Sequence, residues 1–168
     1  MQCYIDSSAL IKRAVMEAET PDMIAFLDIL RSQETSFVTS ALSQIELSQT
    51  LHRAAADGRV DAIQFDDDYK TVLTGIDIID IAPAVIIEAC SIGTGGLRSL
   101  DAIHLATARL AGADMVVTYD NRMIRACFDA GVMTARPGIK EESPSPSWEW
   151  VTGDDPADVP EELWPEGW

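Results

Sequence analysis

Residues 99–131 read as a helix, a short strand and a second helix, and few architectures accommodate that order. Ser99 suits an N-cap, and Asp101 falls in the first turn, where exposed N–H groups and the helix dipole favour negative charge. Leu100, Ile103, Leu105, Ala106 and Leu110 repeat with helical spacing until Gly112 ends the run. Met115-Val116-Val117 is apolar throughout, as in a strand buried on both faces of a parallel sheet. Asp120 lies just beyond the carboxyl end of that strand. Open parallel sheets bind ligands at that rim, near a topological switch point.

The rest of the chain repeats the alternation. Residues 2–5 form a strand that Asp6 ends, and Ser7 and Ser8 can cap a helix over 9–17. Thr20-Pro21-Asp22 supplies an N-cap, an N1 proline and a first-turn acid for a helix over 20–30. A strand over 36–39 leads to Ser40, which caps a helix carrying Leu42, Ile45, Leu47 and Leu51 and ending near Gly58, with Glu46 in its middle. A helix over 61–73, a strand over 76–81, a helix over 83–92 and a strand over 132–135 complete the expectation, with 93–96 a flexible glycine-rich connector. Strands alternating with helices imply parallel β-structure with right-handed crossovers, hence one α/β sandwich.

Charge separates the chain into two materials. Residues 1–139 hold 11 basic and 19 acidic residues; residues 140–168 hold 1 and 9, so the last 29 residues carry half of the net charge of −16. All four tryptophans lie in this second, proline-containing stretch. We read 1–139 as the folded domain and 140–168 as an acidic extension with little regular structure. The acidic balance argues against a general nucleic-acid-binding surface. Cys3, Cys90 and Cys127 have no metal-ligand spacing and are expected to be buried free thiols in a reducing compartment. No basic leader is visible, and no stretch approaches the roughly 20 apolar residues of a membrane span, so the expectation is a soluble, cytoplasmic protein.

Four acids thus have defined settings: Asp6 after the first strand, Glu46 within a helix, Asp101 in a first helical turn and Asp120 after a strand. Asp6 and Asp120 become neighbours if the first and fourth strands pair at a switch point. Gathered carboxylates repel unless a cation neutralises them, and hard divalent ions prefer such an all-oxygen environment. Such an ion can activate water for displacement at a phosphate.

The segments Tyr-Ile-Asp6-Ser-Ser-Ala-Leu, Ile45-Glu46-Leu47, Leu100-Asp101-Ala-Ile-His-Leu-Ala and Val-Thr118-Tyr-Asp120 together resemble the PIN-domain family, in particular its VapC-type toxins. The resemblance spans about residues 2–135. It implies a three-layer α/β/α sandwich with a five-stranded parallel sheet and an Mg²⁺- or Mn²⁺-dependent endoribonuclease. It also implies a homodimer, an RNA substrate and a small antitoxin partner. Carried over by position, Asp6, Glu46, Asp101 and Asp120 are the metal-site acids, and Ser7 and Thr118 are auxiliary hydroxyls that hold water beside the metal. Few cations are available for phosphate, chiefly Lys12, Arg13, Arg98, Arg122 and Arg125; Arg98 and Arg122 flank the motif acids and are the candidates for touching RNA.

Plainer readings stand beside these. Asp6 and Asp120 can each cap the helix that follows, Asp101 complements a helix dipole, and Glu46 alone reads as a solvated helix residue. His104 shares a face with apolar neighbours and reads as structural. The run 66–68 of three aspartates reads as a solvated helix face. Two rival functions remain: a PIN module that binds RNA or protein without cutting, and a haloacid-dehalogenase-like phosphatase. The latter needs an acid two residues after Asp6, where Ser8 stands.

Overall fold

A computed structural model of the chain describes residues 1–59, 65–92 and 97–139. Five strands form one parallel sheet: β1 (Gln2–Ile5), β2 (Ser36–Ser40), β3 (Asp77–Ile79), β4 (Met115–Val117) and β5 (Met133–Ala135). Their spatial order is β3-β2-β1-β4-β5. The chain builds outwards from β1 to one edge, returns, and builds out to the other edge. The switch point therefore falls between β1 and β4, where Ile5 pairs with Val117.

Alternating side chains explain the three layers. Cys3, Ile5, Phe37 and Val117 point to one side. There they meet α1 (Ser7–Ala14), α2 (Thr20–Ser32), α3 (Ala41–Ala56) and α4 (Phe65–Leu73) through Leu10, Leu27, Leu51 and Val72. Tyr4, Val38 and Val116 point to the other. Here α6 (Ser99–Leu110) and α7 (Asn121–Asp129) cover them with Leu105, Ala108, Met123 and Cys127. The helix α5 (Pro83–Ser91) packs on α6. The parallel α/β sandwich expected from the alternation is therefore observed, with the three layers that the family resemblance implies.

Several local expectations need correction. The strands at the two edges are shorter than their apolar runs, because β3 and β5 are covered less well than the middle of the sheet. α1 starts two residues early because Asp6, not Ser7 or Ser8, is its N-cap and accepts from the Ser8 amide. Glu19 precedes α2 and Arg98 precedes α6, so Thr20 and Ser99 are first-turn residues instead of caps. Thr20 instead accepts from the Glu17 amide through Oγ1 at 2.9 Å. Cys90 is exposed on α5, whereas Cys3 and Cys127 are buried and burial pushes both thiols up to about 12.

Gly112 and Gly131 stop α6 and α7 as their positions suggest. Each has φ near 70°, a left-handed conformation that favours glycine. The Ala113 amide then reaches back to Ala108 O at 2.9 Å, and the Val132 amide to Cys127 O at 2.8 Å, satisfying carbonyls at the helix end. The aspartate run lies in α4. The 93–96 connector, the start of the 61–73 helix and the 140–168 extension lie outside the described residues. Met1–Gly138 forms one compact unit. No helix among the described residues is long and apolar enough to cross a membrane.

Leu51 is fully buried against the sheet from α3. Leu51→Ala is expected to cost about 2–5 kcal/mol of stability in a urea melt, since lost burial and a residual cavity add.

Candidate active site

The switch point positions two of the acids directly. Asp6 leaves β1 with its amide donating to Val117 O at 3.0 Å, so it stays in register with β4. It is only 6% exposed. A carboxylate so placed needs donors, and three reach the same oxygen. Thr118 Oγ1 donates to Asp6 Oδ2 at 2.9 Å, Ser8 Oγ at 2.7 Å and the Ser8 amide at 3.4 Å. Ser8 Oγ in turn accepts from the Tyr119 amide at 2.9 Å, so the first turn of α1 is tied to the loop after β4. A hydroxyl that serves this joint occupies the position where the phosphatase reading requires an acid.

Asp120 caps α7, its Oδ1 accepting from the Arg122 amide at 2.6 Å and the Met123 amide at 3.4 Å. Asp101 sits one turn into α6, its Oδ2 accepting from the Arg98 amide at 3.3 Å. The plain capping readings of Asp6, Asp101 and Asp120 are therefore all realised. They do not compete with a site, because capping engages one oxygen of each carboxylate. Burial raises the Asp101 pKa, and the neighbouring charges of Asp120 and Asp6 raise it further, against the Arg98 hydrogen bond. Asp101 thus senses the charges of Asp120 and Asp6.

Glu46 comes from α3. Ser40 ends β2 and caps α3 by accepting from the Leu42 amide at 3.2 Å, which aims the next turns of α3 at the carboxyl ends of the strands. Glu46 Oε2 accepts from Ser7 Oγ and, at 2.9 Å, from His104 Nε2. Burial alone would push this carboxyl up; the His104 and Ser7 hydrogen bonds outweigh it and hold Glu46 below its usual range. The network continues inwards. His104 Nδ1 lies 2.6 Å from Tyr4 Oη, and a chain of buried hydroxyls joins Ser7 to Ser43 and Thr39. Thr39 Oγ1 finally donates to Ile5 O at 2.7 Å.

In each of the four carboxylates the protein donors meet a single oxygen: Oδ2 of Asp6, Oε2 of Glu46, Oδ2 of Asp101 and Oδ1 of Asp120. No hydrogen bond from a described residue reaches the other oxygen, and at Asp6 that oxygen, Oδ1, lies 3.8 Å from His104 Nδ1. This donor set, all oxygen, negatively charged and mutually repelling, fits a hard divalent cation. As the side chains stand, no three His, Cys, Asp or Glu groups among the described residues are gathered tightly enough to hold one ion. Each carboxylate leans towards its own donor.

Two of the expected cations are not free for RNA. Lys12 is buried, paired with Glu17 at 2.6 Å and Glu19 at 2.7 Å, and lies over the Tyr119 ring at 4.5 Å. Arg13 donates to Val72 O on the inner side of α1. Both follow from helix geometry, since Lys12 and Arg13, six and seven residues after Asp6, lie in the last turn of α1, away from the rim at its start. Arg98 and Arg122 are exposed, beside Asp101 and Asp120 through their own amides. Tyr4, Ser8 and His104 are the residues of the site that the sequence reading did not place there. Their available signal was a polar atom on an apolar face, which demands a partner.

A family model for the PIN domain matches residues 3–129. Ribonuclease VapC47 of Mycobacterium tuberculosis is 36% identical over 137 residues, covering 80% of this chain and 96% of that protein. Ribonuclease VapC35 of the same species is 34% identical over 139 residues with the same coverage. Among solved structures, VapBC2 from Rickettsia felis bound to a promoter DNA fragment has a similar fold. Its TM-score is 0.64 at 14% identity, covering 82% of this chain and 99% of that one. Mycobacterium tuberculosis VapC20, a Sarcin-Ricin loop cleaving toxin, matches with a TM-score of 0.59 at 16% identity, covering 80% and 99%.

Because Asp120 contributes to the raised pKa of Asp101, Asp120→Asn is expected to lower it, as followed by carboxyl ¹³C NMR against pH. The sign extends to stability. A carboxyl with a raised folded pKa binds its proton more tightly than the unfolded chain, so its contribution is lost as pH rises through that pKa. Asp120→Asn should weaken this pH dependence; an unmoved Asp101 titration would mean the two charges do not interact.

Proposed function

The chain belongs to the PIN-domain family, and on that premise we propose that it is an endoribonuclease dependent on Mg²⁺ or Mn²⁺, the toxin of a toxin–antitoxin pair. The observation that carries the reading is the set of four carboxylates at one sheet rim, each with one oxygen bound to protein donors and one left over. The ribonuclease names of relatives that share more than a third of their residues with this chain support the substrate class.

Asp6, Glu46, Asp101 and Asp120 are the residues that would hold the cation. When bound, such an ion activates water and stabilises the charge that builds on a phosphate during in-line displacement. The chain's own tasks are distinct from that chemistry. Thr118 and Ser8 orient Asp6, and Ser7 orients Glu46. Arg98 and Arg122 bind RNA phosphates beside the acids, where charge-assisted contacts position the backbone without reading sequence. No side chain is required as the acid that protonates the leaving oxygen; solvent serves.

Residues 1–139 are the nuclease domain and 140–168 an extension outside the family match, in a cytoplasmic protein. The solved neighbours include toxin–antitoxin complexes. We take a small antitoxin as this chain's partner and a homodimer as its assembly.

The purified, partner-free protein should cut RNA from a mixed pool with Mg²⁺ or Mn²⁺ and stop when a chelator is added. Asp6→Asn and Asp101→Asn should each reduce cutting to the chelator level. RNA binding without cutting, in both the full chain and a protein lacking 140–168, would favour a non-catalytic module.

A further inference from the structure

Resting on the cation reading above, we propose that His104, backed by Tyr4, is a positioning residue that sets the rotation of the Glu46 carboxylate so that Oε1 faces the cation. His104 is 2% exposed and lies three residues after Asp101, so both project from one side of α6. Its imidazole bridges a buried phenol and a carboxylate that is 29% exposed, with Tyr4 Oη 2.6 Å from Nδ1 and Glu46 Oε2 2.9 Å from Nε2.

The direction of this bridge follows from what each atom can do. A carboxylate oxygen only accepts, so Nε2 carries the hydrogen that faces Glu46. In the neutral ring Nδ1 is then an acceptor, and the Tyr4 hydroxyl donates to it. Tyr4, an ordinary phenol, carries that hydrogen. In the charged ring Nε2–H still donates to Glu46. The orientation of the bridge to Glu46 is therefore independent of the ring's protonation.

Position on the carboxylate matters more than the bond itself. Ser7 from α1 and His104 from α6 both reach Oε2. Two donors from two different helices fix the carboxylate's rotation, which one donor leaves free. Oε1 is the oxygen that no described residue engages. Groups that hydrogen-bond to metal-ligating carboxylates contribute to affinity by this kind of orientation.

The test is Mn²⁺ binding to the full chain by calorimetry, with thermal melting beside it, for wild type, Tyr4→Phe, His104→Ala and His104→Gln. His104→Ala and Tyr4→Phe should weaken Mn²⁺ affinity by about 10- to 100-fold, the range for such outer partners. His104→Gln, whose amide can donate to Oε2, should recover most of it. In RNA cleavage kcat should fall with affinity while KM for RNA stays. Variants that melt lower yet bind Mn²⁺ as wild type does would overturn the positioning role and leave the nuclease reading standing. Wild type that binds no Mn²⁺ at millimolar concentration would overturn both. If His104→Ala does not fold, Tyr4→Phe and His104→Gln decide alone.

Discussion

Like charges drawn to one rim are the constraint on which this structure depends. Asp6 and Asp120 stand where each raises the cost of ionising Asp101. The fold tolerates the arrangement by dividing the load. Asp6 is surrounded by two hydroxyls and an amide, Asp120 and Asp101 rest on helix N-terminal amides, and Glu46 has a serine and a histidine. Each partner comes from an element whose position the sheet already sets, so local capping and the site's electrostatics are one set of bonds.

The two-sided core makes that positioning rigid. Cys3, Ile5 and Val117 lock α1 to α3 on one face, while Tyr4 and Val116 hold α6 and α7 on the other. Tyr4 shows how closely packing and site are joined. Its ring belongs to the second core, and its hydroxyl ends the polar network that leads to Glu46. One strand therefore carries Tyr4, which ends the network, and leads directly into Asp6, one of the four candidate acids.

Much of this was legible in the sequence. The apolar run 115–117 and the acids at strand ends were enough to anticipate a parallel sheet with Asp6 and Asp120 at strand ends, because strand burial and rim position are local consequences of pattern. Which strands pair is not local; the switch point followed from family resemblance and topology rules. The role of His104 was hidden because periodicity places it among Leu105 and Ala108, and only the distant Glu46, 58 residues away, reveals its bond. Lys12 and Arg13 looked available for phosphate because a charge count carries no direction. Cys90 looked buried because an apolar neighbourhood in sequence can still lie on an outer helix face.

The bond from Thr118 to Asp6 joins residues 112 positions apart. During synthesis β1 and β2 can pair once residue 40 is available, and a partly made chain already holds Asp6 and Glu46. It lacks β4, the Thr118 hydroxyl and the amides that shape Asp120. Closing so long a loop is slow compared with forming local helices. The rim is therefore completed late. A ribosome making this chain carries an incomplete rim until the second half of the sheet has docked.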